Sequence, residues 1–128
     1  MITVTAAIIV QNGKVLICRR KTGLKNGGLW EFPGGKREKG ESLRECLERE
    51  LFEELGVRAK AGEIFGEGLY EYDYGTIKLI GFQTELESRE FTLTDHDMIE
   101  WADIKKLSDF RLSEADIPFA RKLKNINI

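Results

Sequence analysis

Apolar residues change period several times along this chain, and each change marks an element. Ile2 to Val10 is a run of β-branched and small apolar residues, and Asn12-Gly13 follows it, a dipeptide suited to a two-residue hairpin turn. Lys14 to Arg19 returns with Val15 and Ile17 on one side, so the pattern predicts an opening hairpin. Residues 20–29, RKTGLKNGGL, have no period and read as a surface loop. A short strand around Trp30 and Phe32 is then broken by Pro33-Gly34-Gly35. Ser42 and Glu45 have capping-box spacing, and the helical pattern from Leu43 to Leu55 stops at Gly56. Val57 to Asp73 and Gly75 to Leu86 read as strands around a turn at Asp73-Tyr74-Gly75, with Tyr70 and Tyr72 entering it. A polar connection covers Glu87 to Asp97, a short segment starts at Trp101, and Glu114 to Leu123 predicts a terminal helix with Pro118 in its first turn.

The helix over 43–55 carries more than a core stripe. On a wheel of about 100° per residue starting at Leu43, Leu47, Leu51 and Leu55 fall at about 40°, 80° and 120° and define the buried face. Glu54 falls near 20°, Glu50 near −20° and Glu53 near −80°, while Glu45 and Glu48 fall on the opposite side. For Glu45 and Glu48 the reading is solvation and i,i+4 pairing such as Glu45 with Arg49, contributing about 0.3–0.5 kcal/mol. That reading fails for Glu50 and Glu54. An ionised carboxylate at a core edge costs several kcal/mol unless it is paired or binds a cation, and two facing one way call for divalent charge. Oxygen ligands with open positions suit Mg²⁺ or Mn²⁺, which keep waters and accept substrate phosphates. Gly34 and Gly35, just upstream, permit positive φ or close backbone approach, so a carbonyl there could complete the metal shell.

Composition narrows the choice of ligand. With 128 residues, 41% hydrophobic and 33% charged, the chain suits one folded domain, 1–128, with a real core. A net charge of −2 offers no long-range attraction for a nucleic-acid polymer or an anionic membrane, so a phosphate-bearing ligand must be drawn locally or by metal. Cys18 and Cys46 lie in apolar patterns typical of buried free thiols. The N-terminal run lacks a basic leader and reads as a strand, no stretch approaches the ~20 apolar residues of a spanning helix, and the expected setting is the cytoplasm.

Gly35, Glu41, Arg49, Glu50, Leu51, Glu53, Glu54, Gly56 and Val57 together occupy every fixed position of the Nudix box. LWEFPGGK at 29–36, the Asp-His-x-x-x-x-Trp stretch from Asp95 and SEADIPFARKL near the end extend the resemblance to short MutT-type members, so that it spans essentially the whole chain. The resemblance implies a Nudix α/β/α sandwich with a mixed central sheet. It also implies metal-dependent hydrolysis of a nucleoside triphosphate to the monophosphate and pyrophosphate by a monomer or homodimer. By position, the Gly34 carbonyl with Glu50, Glu53 and Glu54 would bind metal. One of the glutamates or Asp95 would deprotonate the attacking water, Arg49 would orient a carboxylate through a bidentate pair, and Gly35 and Glu41 would support them. His96, the sole histidine, reads as an exposed loop residue, and Asp95 fits the acidic loop position of MutT-type relatives better.

The same resemblance places Arg20, Phe32, Tyr72 and Asp116 at the nucleobase. Arg20 reads equally as a solvated loop charge, Phe32 as core, and Asp116 as a helix-start residue serving as a cap or favoured by the dipole. Bacterial MutT has Asn where this chain has Asp116, and Arg where it has Gly75. An ionised Asp only accepts, which suits the cytosine amino group, and it can also accept from N7–H of 8-oxoguanine. 8-oxo-dGTP is the expected substrate, with cytidine triphosphates second. A non-catalytic nucleotide sensor would be expected to lack the box glutamates, and a polymer-processing hydrolase would need a longer basic tract than Arg19 to Lys25.

Overall fold

The opening apolar run does not fold into one hairpin strand but splits at Ile9. In the computed structural model, which describes residues 1–126, the order is β1 (Ile2–Ile8), β2 (Val10–Gln11), β3 (Lys14–Arg20), β4 (Trp30–Glu31), α1 (Leu43–Leu55), β5 (Ala59–Tyr72), β6 (Gly75–Leu86), β7 (His96–Asp103) and α2 (Ile117–Asn125). Two 3-10 segments, Ile104–Asp109 and Glu114–Asp116, precede α2. Only β2 turns back on β3, whereas β1 runs parallel to β6 from Ile2 opposite Ile77 to Ile8 opposite Gln83. The physical reason is two-sided burial. Ala6 and Ile8 enter one apolar cluster and Ala7 and Ile9 the other, the continuous apolar pattern of a strand covered on both faces.

One sheet is mixed, in the order β1-β6-β5, with β5 antiparallel to β6. A second sheet is built on β3, which pairs antiparallel with β2, β4 and β7. Val15 and Ile17 join Phe119, Ala120 and Leu123 of α2, while Leu16 and Cys18 join Leu47, Leu51 and Leu55 of α1. Helices therefore cover opposite faces of the strands, and the α/β/α sandwich stands as expected. Cys18 and Cys46 are buried and free.

Helix α1 has the predicted limits, from the Ser42–Glu45 capping box to Gly56 in the left-handed conformation. Glu45 is committed to that box, accepting from the Ser42 N–H at 2.8 Å, so the expected Glu45–Arg49 pair is not what holds it. Glu48 is not simply solvated either, because its carboxylate accepts from the Ala61 N–H at 2.9 Å and ties the helix to β5. Strand β7 begins at His96, inside the stretch read as connection, since its outward Asp97, Glu100 and Asp103 conceal the alternation. At the C-terminal end Pro118 sits in the first turn of α2, so the helix starts at Ile117 and not at Glu114. No helix among the described residues is long and apolar enough to cross a membrane.

Candidate active site

The Gly-rich segment between β4 and α1 is laid against the free edge of β1. Ala7 N–H donates to the Pro33 carbonyl at 2.7 Å and Thr5 N–H to the Gly35 carbonyl at 2.8 Å. Alternation along this extended segment turns the intervening Gly34 carbonyl away from β1. Gly34 is required by close approach, since a Cβ there would collide with the Thr5 backbone carbonyl, whereas one on Gly35 would displace the Glu50 carboxylate. The loop thus presents backbone to α1 at the turn that carries the glutamates.

Arg49 binds the acidic face of α1 together. Its Nε and Nη2 donate to the two oxygens of Glu41 at 3.0 and 2.8 Å, the bidentate geometry expected of it. Nη1 donates to Glu50 and to Glu53, each at 2.9 Å, and Nη2 reaches the Lys36 carbonyl at 3.1 Å. The guanidinium holds the Glu41 carboxyl well below the ordinary carboxylate range, at about 2. One cation so shared leaves the cluster short of positive charge.

That shortage falls on Glu54. Burial, reinforced by the charges of Glu50, Glu31 and Asp95, raises its carboxyl to about 8, and its Oε2 is buried with no hydrogen-bond partner among the described residues. Burial also raises Glu50. Glu50, Glu54, Gly34 and Gly35 line one cleft of about 670 Å³. Oxygen donors around an unpartnered buried oxygen suit a hard divalent cation. Glu53, on the outer side of the helix, has its side chain 55% exposed. Asp95 acts on Glu54 through its charge, and its own carbonyl accepts from the Lys21 N–H at 3.0 Å.

His96 overturns the expectation of an exposed loop residue. It is 1% exposed, and its Nε2 lies 2.9 Å from Glu31 Oε2. Ligand atoms of Glu31, Glu54 and His96 come within 4.8 Å of one another, a tighter group than the one expected for metal. A histidine that holds metal normally donates its second ring N–H to an acceptor. Here Nε2 faces the Glu31 carboxylate and Nδ1 is buried with no hydrogen-bond partner among the described residues, so the contact that His96 makes is that of a donor to Glu31.

The other end of the cleft is lined by Arg20, Phe32, Tyr72, Tyr74 and Asp116. Asp116 is 5% exposed, and burial raises its carboxyl to about 7, against hydrogen bonds from Ser113 and the Phe32 backbone. Ser113 Oγ donates to it at 2.6 Å, and Asp116 makes no side-chain cap bond to α2. The capping alternative therefore gives way to a position in the cleft. Phe32 is both core and lining, and Tyr72 stacks on Tyr74 with ring centroids 5.2 Å apart. Sequence reasoning overlooked Glu31, Tyr74 and Lys25, whose ammonium lies 4.1 Å from the Tyr74 ring centroid. Glu31 alone had a signal, an acid between Trp30 and Phe32 on a strand that turns those aromatics to the α2 side.

A Gly-Gly loop packed on β1, a glutamate helix tied through one arginine and an α/β/α sandwich define a Nudix architecture. The NUDIX domain model matches residues 1–123, and the chain belongs to that family. The CTP pyrophosphohydrolase of Escherichia coli K12 is 37% identical over 118 residues, covering 92% of this chain and 87% of the relative. The 8-oxo-dGTP diphosphatase of the same strain is 29% identical over 116 residues, covering 91% and 90%. The crystal structure of the MutT protein from Methanosarcina mazei Go1 superposes with a TM-score of 0.85 at 28% identity, over 95% of this chain and 91% of that one.

Proposed function

We propose that this Nudix hydrolase is a Mg²⁺- or Mn²⁺-dependent nucleoside triphosphate pyrophosphohydrolase, converting NTP and water to NMP and pyrophosphate. Glu54 carries the reading: its carboxyl is buried, raised to about 8 and unpartnered at Oε2, in a cleft that also ends at a buried acid and an aromatic wall. Glu50 and Glu54 with the Gly34 carbonyl would hold the cation, with Glu53 on the outer side. A bound divalent ion neutralises the triphosphate and lowers the pKa of the attacking water. Arg49 keeps the carboxylates from springing apart before the ion is bound, and Glu41 holds Arg49. Glu50, Glu53 and Asp95 are the acids available to take the water's proton.

Asp116 supports the choice of base. With its carboxyl raised to about 7, the neutral form offers one donor and one acceptor. That pair matches O6 and N7–H of 8-oxoguanine, and equally N3 and the 4-amino group of cytosine. Ordinary guanine, with acceptors at both O6 and N7, does not match it on that edge. Oxidised guanine is the first reading, and the 37% identity to a CTP pyrophosphohydrolase is the specific reason to keep cytidine triphosphates as the second. A Mg²⁺ turnover panel of 8-oxo-dGTP, dGTP, dCTP, 5-methyl-dCTP, ADP-ribose and diadenosine polyphosphates tests the assignment. Monophosphate and pyrophosphate are expected from an oxidised purine or a cytidine triphosphate, and turnover of ADP-ribose alone would reject it.

A further inference from the structure

The pairing of β3 with β7 slips by one residue between Arg19 and Arg20, so that Arg19 faces Met98 but Arg20 faces His96. Asp97 is the extra residue, turned outward to accept from Arg19 Nε at 2.8 Å. Without the bulge Asp97 would oppose Arg20; with it, a buried imidazole takes that place. Bulges re-aim side chains in this way beside functional sites. Glu31, opposite Cys18 on the other edge of β3, lies on the same face as Arg20 by the two-residue period.

A directed chain results. A carboxylate can only accept, so His96 Nε2 donates to Glu31 Oε2 at 2.9 Å. The same oxygen lies 3.5 Å from Arg20 Nη1, and Arg20 Nε donates to the Lys25 carbonyl at 3.1 Å. With Nε and Nη1 so held, Nη2 is the group available to an incoming anion.

We infer that Glu31, fixed from beneath by His96, is a positioning residue that holds Arg20 in the cleft to receive the nucleotide. This rests on the proposed triphosphate reading. The test is a double-mutant cycle on Glu31 and Arg20. It reads KM and kcat on the best triphosphate, and calorimetric binding of its non-hydrolysable α,β-imido analogue. Arg20→Ala is expected to raise KM about 10-fold, the scale of one lost charge-assisted hydrogen bond, with kcat within about three-fold. Glu31→Ala should reproduce most of that rise, and Glu31→Gln, which keeps an acceptor for both neighbours, should recover to within about three-fold of wild type. The double variant should bind no worse than Arg20→Ala. Effects that multiply in the double variant, or a Glu31→Ala defect confined to kcat, overturn the inference. Should Glu31→Ala fail to fold in thermal melts, Glu31→Asp replaces it, and an unchanged KM for that shorter acid is equally fatal. A wild type that cleaves no triphosphate defeats the functional reading instead, whereas an active wild type with a multiplicative cycle defeats only this inference.

Discussion

The cleft holds two acids, half-buried Glu54 with its Oε2 sealed from solvent and buried Asp116, and the two are raised for one reason but provided for differently. Burial pushes Glu54 to about 8 and Asp116 to about 7. Asp116 is answered from within the fold by Ser113 and the Phe32 backbone. Glu54 is surrounded by further acids, and its Oε2 has no protein partner among the described residues. On the proposed reading, the unanswered acid receives a cation, and the acid answered with donors presents a hydrogen-bonding edge.

The sharpest way to break this contrast is to neutralise the unanswered acid. Glu54→Gln should lower turnover by about 10³-fold or more, the scale on which an electrostatic contact to the reacting centre acts. The metal-free protein should remain folded, because removing an uncompensated buried charge relieves a cost. Glu53→Gln should lower turnover too, by about 10²-fold, since its exposed carboxylate is better screened. Steady-state rates alongside thermal melts separate the effects, and a Glu54→Gln enzyme with unchanged Mg²⁺-dependent turnover would leave the carboxylate cluster without its role.

Asp116→Asn addresses the other end. An amide also donates and accepts but cannot change protonation, so the chemistry should persist while preference among bases moves by about 10- to 100-fold in kcat/KM, the scale of one or two hydrogen bonds. The measurements are the ratio for 8-oxo-dGTP against dCTP and, for each substrate, kcat/KM of the native enzyme relative to the Asn variant at pH 6 and pH 8. The second should fall across the interval, because the Asp116 carboxyl at about 7 loses its donor and the amide does not. An unchanged ranking would remove Asp116 from base recognition.

The two ends also differed in how far the chain disclosed them. The proposed metal end is local. Gly34 through Glu54 is continuous chain, so helical period and capping chemistry alone placed Glu50 and Glu54 on the core edge and ended α1 at Leu55. The proposed base end is assembled from β3, β4, the β5–β6 turn and the approach to α2, and its members acquire meaning only when strands pair. Phe32 could be named but not separated from core, and Asp116, which does stand at the N-cap position of α2, could not be told from a cap until its side chain was seen to make no cap bond and to accept from Ser113 and the Phe32 backbone instead. His96 was misplaced because a bulge, invisible to alternation, turned it inward. The parallel pairing of β1 with β6 was lost to the nearer Asn12-Gly13 turn signal, which governs only β2.

A smaller effect tests whether both ends store strain in the metal-free protein. A carboxyl whose folded pKa is raised binds more protons folded than unfolded, so its contribution to stability is fully present below its ordinary pKa and is lost as pH rises through the folded value. For Asp116 and Glu54 that loss runs up through about 7 and about 8 respectively. Glu41, held near 2 by Arg49, changes only in acid, and the Cys18 thiol, raised well above 9, stays protonated up to that range. Between about pH 5.5 and 8.5 in chelator, the melting temperature should therefore fall by several degrees or more. Adding Mg²⁺ at pH 8.5 should return the Glu54 share, because the ion supplies the missing charge. It should leave the Asp116 share, which only Asp116→Asn removes. Calorimetry of the wild type, Glu54→Gln and Asp116→Asn with and without Mg²⁺ resolves the two shares. A Mg²⁺ response that survives Glu54→Gln undiminished would mean that the cation is not answering the buried charge of Glu54.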